Sequence, residues 1–300
     1  MTDAVSAHAP EHKVFAPIDW ATFLLLAVVW GASFFFIEIG LRAFHPGLIT
    51  WIRVLTGALA IWLLPGAPGP LDRRDRRTIL LLSFTATSIP FALFPIAQQA
   101  VSSAVAGLIN GGVALMTALV GYLLFRRLPG RLQMVGLLIG VLGVATIALL
   151  TAQEGTSEAI GVALLLVAIA CYGVSLNLFG PLIARNGSVP VMARVLALSC
   201  VWTAPLGLWS LPGSSFAWQS FAAVAILGAL GTGAAYAVMG RLIHDVGSVR
   251  ASYVTNIVPV VSLFLGVAVL GEALPPAAFA GASLVVVGAA LVSRPRRHID

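Results

Sequence analysis

Charge is what this chain has least of. Asp, Glu, Lys and Arg make up 9% of its 300 residues, and Lys13 is its single lysine. A soluble domain carries about a quarter charged residues, so a water-facing surface is excluded for most of the chain. Cysteine is scarce as well. Cys171 and Cys200 each fall within an apolar run, which excludes a disulfide framework and a metal site and leaves two small buried residues. No His, Glu, Asp or Cys residues gather at metal-binding or catalytic spacing, so neither a cofactor nor an enzyme is expected. Loops between apolar runs stay within about 15 residues, too short for an extramembrane catalytic domain.

Apolar residues are what the chain has in abundance. They form 59% of it, with a mean hydropathy of +1.01. Ten apolar stretches can each cross about 30 Å of hydrocarbon as a helix. They lie near 19–41, 46–65, 78–97, 102–125, 131–151, 159–184, 189–210, 217–240, 250–271 and 276–293. The first is long, carries Glu38 and Arg42 at its end and has no small-residue cleavage site, so it reads as a retained span. Short loops rich in arginine stay cytoplasmic. With both termini inside, every Lys and Arg except Arg42, Arg53 and Arg194 falls on the inner side. The net charge of +6 is thereby explained by topology, without nucleic acid as a partner.

The chain also carries one pattern twice. Ser102 to Ala145 aligns with Ser248 to Ala290, placing Asn110 on Asn256, Leu128-Pro129 on Leu274-Pro275, and Gly136 and Gly143 on Gly281 and Gly288. Upstream, Arg53-Val54-Leu55 falls on Arg194-Val195-Leu196, and Gly31 and Ser33 on Gly173 and Ser175. Five spans, an odd number, separate the copies, so the second enters the bilayer from the opposite side. The expected fold is an all-α polytopic membrane protein of ten transmembrane helices in two inverted five-helix repeats, as in secondary transporters. Its parts are a cytoplasmic tail (1–18), the first repeat (19–151), the second repeat (157–293) and a basic cytoplasmic tail (294–300).

The run from Gly228 to Tyr236, then Val246 to Ser252, Pro259 and Gly271-Glu272-Ala273-Leu274, is similar to the second half of the drug/metabolite transporter superfamily, EamA branch. Trp30-Gly31-Ala32-Ser33-Phe34 resembles that family's first-span signature. The resemblance covers roughly residues 19 to 293. It implies a ten-helix carrier in a bacterial inner membrane, with a central cavity bounded by spans 3, 4, 8 and 9 and helped by spans 1 and 6. It also implies a small-metabolite substrate, with YddG-type amino-acid exporters as the suggested subfamily. The first half departs from the pattern, with Phe125-Arg126 where the second has Gly271-Glu272. Glu272 is expected to be an anchor at the outer interface.

A carrier needs polar groups at mid-depth, where they survive only facing a cavity or a partner. Asn110 lies roughly 12 Å from the outer end of span 4, and Asn256 lies at a comparable depth from the inner end of span 9. Each either contacts solute or joins helices, and the sequence leaves both readings open. Asn110 is followed by Gly111-Gly112 and Asn256 by Pro259, weak points where backbone carbonyls can be freed. Thr117 shares a helical face with Asn110, and Ser252 one with Asn256. Trp30, Tyr172, Tyr236 and Tyr253 are candidate cavity walls. Trp20, Trp62, Trp209 and Trp218 read as interfacial belt residues. Pro90 and Pro95 in span 3, with Gly231 and Gly233 in span 8, are candidate bends of gating helices.

Charges within the spans are few. Glu38 is expected to pair with Arg42 or Arg53, because an unpaired charge at that depth is costly. Arg194, which lacks a repeat-related acid, is expected to snorkel or to bind lipid phosphate, with Asp245 or a solute carboxylate as alternatives. Amide, hydroxyl and aromatic groups with little fixed charge suit a zwitterion better than a sugar phosphate. The expected function is alternating-access export of small metabolites, chiefly neutral or aromatic amino acids, by facilitated diffusion or exchange. The alternatives are proton-coupled export of another metabolite or drug, a channel, and a lipid-handling protein.

Overall fold

The computed structural model describes residues 16–126, 130–246 and 254–292. Ser252 and Tyr253, the predicted C-terminal tail and most of the N-terminal tail lie outside the described residues.

The described residues form helices and connecting turns, with no strand among them. Seven helices are long and apolar enough to cross a membrane: α1 (Pro17–Leu41), α3 (Arg73–Ala97), α4 (Ser103–Leu124), α5 (Arg131–Ala152), α6 (Thr156–Asn186), α7 (Ser188–Trp209) and α8 (Trp218–Leu242). Three shorter apolar helices are α2 (Pro46–Trp62), α9 (Val254–Val269) and α10 (Pro276–Val292). The polarity of a soluble fold is absent. On α5 the leucines 138, 142 and 149 are exposed, while Gly136, Gly140 and Gly143 are buried. In lipid no hydrophobic force drives helix against helix, so small residues go to the contact and large ones to the acyl chains.

The α5–α10 pair is packed backbone to backbone. A Cβ added at Gly288 would come within 2.5 Å of the Gly140 Cα, and one at Gly143 within 2.7 Å of the Gly281 carbonyl. Other extensive contacts join α2 to α7 and to α8, α3 to α6 and to α7, α4 to α6 and to α9, and α1 to α8 and to α9. Shifting each helix number by five maps this set onto itself, so the contact pattern follows the sequence repeat.

Several helices depart from regularity. α1 turns at Ala32, and α4 breaks at Gly111-Gly112 as the sequence predicts. Pro259, by contrast, is carried inside a continuous helical segment, and α9 loosens further on, at a π turn over Leu265–Val269. Two more π turns occupy Ser83–Ser88 in α3 and Ala229–Ala234 in α8. Ser83 falls on Ala229 at the same sequence offset that carries Asn110 onto Asn256. In α3 the wide turn runs directly into Pro90, whose missing N–H and bulky ring disfavour the regular bond to the preceding turn. Within the same wide turn the Ser83 carbonyl accepts from the hydroxyls of Thr87, Ser88 and, from α7, Ser199 at 2.9 Å. Pro95 stays within the helix and is buried.

Glu272 is no simple interfacial anchor. Gly271 adopts φ +72°, which glycine supplies without strain, and Glu272 follows it to the start of α4. Its Oε1 accepts from the Ser103 N–H and its Oε2 from the Ala104 N–H, both at 2.8 Å. Ser102 Oγ takes the next donor, Val105. A carboxylate at a helix N-terminus satisfies orphan donors and complements the helix dipole. Glu272→Ala is expected to lower stability by about 2 kcal/mol, read as a fall in the thermal midpoint of the detergent-solubilised protein. An unchanged midpoint would remove the cap from this account.

Candidate substrate cavity

Seven helices converge on a cavity of about 140 Å³. At about 30 Å³ of liquid volume for each water, it offers space for roughly five waters. Trp30, Ser33, Phe34 and Ile37 line it from α1, Arg53 from α2, and Ala86, Phe91 and Phe94 from α3. Asn110 and Val113 follow from α4, Tyr172, Ser175, Leu176 and Phe179 from α6, Gly231 and Tyr236 from α8, and Thr255 and Val258 from α9. Ala86 and Gly231 belong to the paired π turns of α3 and α8.

The walls are aromatic. One run of rings joins Trp30 to Tyr236 at 6.2 Å and Tyr236 to Phe179 at 6.4 Å. A second joins Phe34 to Phe94 at 5.4 Å and Phe94 to Tyr172 at 6.1 Å. The Trp30 Nε1–H donates to the Gly231 carbonyl at 3.1 Å, so a carbonyl in the α8 π turn fixes the indole. The Ser175 hydroxyl lies within hydrogen-bond distance of Thr85 Oγ1, at 2.8 Å, and of the Cys171 carbonyl, at 3.0 Å.

Arg53 supplies the one charge among the described lining residues. It is 7% exposed, its guanidinium lies 3.7 Å from the centre of the Phe91 ring, and its Nε donates to Thr232 Oγ1 at 3.2 Å. The expected pairing with Glu38 does not form. Glu38 makes no ion pair among the described residues, and its nearby charges are Glu272 and Arg42. A cation stacked on an aromatic face and held by a hydroxyl has exchanged a carboxylate for weaker but preorganised partners.

The predicted site residues separate into groups. Trp30, Asn110, Tyr172, Tyr236, Gly231 and Arg53 meet at the cavity. Thr117 does not: its hydroxyl bonds back to the Val113 carbonyl at 2.7 Å, and its own carbonyl accepts from Asn177 at 2.9 Å. Asn256 is buried outside the lining, and its Oδ1 has no hydrogen-bond partner among the described residues. Gly233 packs α8 against α2, where a Cβ would come within 2.5 Å of the Gly57 carbonyl. Pro259 packs against Gly111 of α4. Arg194 donates to the carbonyls of Ala67, Pro68 and Gly69 and lies 5.0 Å from the Trp62 ring. The Trp62 Nε1 donates to the Ala193 carbonyl at 3.2 Å. Trp20, Trp62, Trp209 and Trp218 are all exposed, as a belt requires.

Phe91, Phe94, Phe179 and Thr232 were not singled out from the sequence. Phe91 and Phe94 lie between Pro90 and Pro95 with a spacing of three, so one helical face was there to be read. Thr232 sits in a run of small residues and carries no signal of its own.

A multi-helix apolar protein with a ring-walled central cavity is a solute carrier by architecture. A profile of the EamA-like transporter family matches residues 20–149 and again 159–294. The chain belongs to the EamA-like transporter family, within the drug/metabolite transporter superfamily, and is a multi-pass membrane transporter. A probable amino-acid metabolite efflux pump of Salmonella typhimurium is 28% identical, covering 88% of this chain and 91% of that protein. The uncharacterized inner membrane transporter YedA of Escherichia coli K12 is 27% identical, over 92% and 90%. An S-adenosylmethionine/S-adenosylhomocysteine transporter of Chlamydia trachomatis is 27% identical, over 93% and 91%. One crystal structure of a protein superposes with a TM-score of 0.63 at 18% identity, covering 92% of this chain and 96% of that one, a likeness of fold alone.

Proposed function

We propose that this protein exports amino acids and related small metabolites from the cytoplasm across a bacterial inner membrane by alternating access. The observation that carries the reading is the aromatic-walled cavity where seven helices meet, with Asn110 and two phenols as polar groups. Related proteins named for amino-acid metabolites and for S-adenosylmethionine support the substrate class, and the one named an inner membrane transporter supports the compartment.

The ten apolar helices are ten transmembrane spans in two inverted five-helix repeats, with both termini cytoplasmic. The self-mapping contacts and the paired π turns support that arrangement. Two related halves that rock about a shared cavity open it to one side and then the other. Pro90 and the two π turns are where α3 and α8 yield in that motion.

Transport is facilitated exchange, without an obligatory proton. Glu38, carried by α1, does not line the cavity, and no Asp or Glu is among the described lining residues. Glu38→Gln in proteoliposomes is therefore expected to retain exchange.

Counterflow of radiolabelled amino acids in proteoliposomes tests the reading. Saturable, trans-stimulated uptake is expected, and product formation without uptake would overturn it. Cysteines placed at Gly69 and Gly213 are expected to label from the inside and the outside respectively, and the reverse pattern would invert the topology.

A further inference from the structure

The sequence repeat makes Arg53 and Arg194 counterparts, and the structure gives them opposite fates. Each guanidinium faces an aromatic ring, Phe91 for one and Trp62 for the other. Arg194 then spends its donors on three loop carbonyls. Arg53 uses only its Nε, on Thr232, and its two terminal nitrogens have no hydrogen-bond partner among the described residues. Its side chain is buried, yet it lines the cavity. No Asp or Glu is among the described lining residues.

An arginine does not shed its proton to escape burial. A buried cation without a counter-charge is costly, and its desolvation is offset only when a negative group arrives. The fork of terminal N–H donors matches the two oxygens of a carboxylate. The phenols of Tyr172 and Tyr236 lie within electrostatic range of the same guanidinium and line the same space. Their O–H groups have no partner among the described residues, so they can donate to the lone pairs the arginine leaves. The ring faces of Trp30 and Phe94 offer a cationic group a weaker site that needs no acid. One cation matches a monoanionic carboxylate, whereas a dianionic phosphate ester would call for a second.

We propose that Arg53 is the substrate-binding residue that receives the carboxylate of the transported metabolite through its two terminal nitrogens, so that solutes lacking a carboxylate are rejected. This rests on the transport reading above and names the group recognised at that site. The ring stack and the Thr232 bond hold the fork in place before the solute enters, so little ordering is needed on binding.

The test compares acids with their carboxamides. In counterflow by the wild-type protein, L-phenylalanine, L-leucine and L-methionine compete with labelled solute, as do their carboxamides. The acids are expected to compete at least about tenfold better, since a charge-assisted bidentate contact is lost in the amide. Arg53→Gln is expected to bring that ratio to within about threefold, with acid binding weakened and amide binding little changed. Equal competition by acid and carboxamide in the wild type would overturn the proposal while leaving the transport reading intact. So would an Arg53→Gln carrier that keeps the preference, or stronger competition by glycerol 3-phosphate than by any acid. If Arg53→Gln does not fold, the wild-type ratio decides alone. Absence of exchange of every solute by the wild type would sink the transport reading, and this proposal with it.

Discussion

Gly288→Leu is expected to leave almost no folded protein in the membrane, whereas Gly180→Leu is tolerated. At Gly288 a Cβ would come within 2.5 Å of the Gly140 Cα and 2.7 Å of the Gly136 carbonyl. Both obstacles are backbone, which cannot rotate aside as a side chain does. The α5 and α10 helices would have to separate along the line where Gly136, Gly140 and Gly143 meet Gly281 and Gly288. Overpacking against yielding neighbours costs about 1–3 kcal/mol, and rigid backbone places this case at or above the top of that range. In lipid the lost van der Waals contact has no hydrophobic term to offset it. Gly180 is exposed on α6 with nothing within 4 Å of a Cβ, so leucine there meets only open space. Membrane abundance and the thermal midpoint in detergent measure both. Equal abundance of the two variants would overturn the account of this interface.

Asn110→Ala is expected to reduce transport at least about tenfold with stability unchanged, while Asn256→Leu raises stability. Asn110 lines the cavity and its side chain makes no hydrogen bond among the described residues, so folding does not use it. A bound solute would lose a polar partner on its removal. Asn256 is buried with its Oδ1 unpaired among the described residues, which leaves a desolvated carbonyl uncompensated. Leucine keeps the branch at Cγ without the polar atoms; removal of that penalty outweighs the cost of its larger volume, and about 1 kcal/mol of stabilisation is expected. Counterflow at matched abundance and thermal unfolding separate the two effects. Normal transport by Asn110→Ala would make it a packing residue. A carrier with Asn256→Leu that is inactive but stable would place Asn256 at the solute in another state of the cycle.

Helix positions were legible in the sequence because each crossing must hide its own backbone polar groups, which demands an unbroken apolar run. The break at Gly111-Gly112 was legible for a related reason: two adjacent glycines weaken a helix whatever surrounds them. Pro259 was not, since a proline's effect depends on what packs against it, and here Gly111 receives its ring while the irregularity passes to Leu265–Val269. Trp30, Asn110, Tyr172 and Tyr236 reached the cavity as their types and repeat positions suggested.

The sequence by itself determined the apolar helices, the repeated pattern and the family, because hydropathy and residue spacing act locally along the chain. Tertiary structure alone decided what each polar group faces. Asn110 and Asn256 are equivalent in the repeat, yet one lines the cavity and the other is buried outside it. Arg53 and Arg194 are equivalent too, yet the loop carbonyls of Ala67, Pro68 and Gly69 take up Arg194, while the cavity keeps Arg53 beside Phe91. A hydrogen bond forms only with the partner within about 3 Å. Which partner stands there is set by helices far apart in the chain, and no local pattern records it.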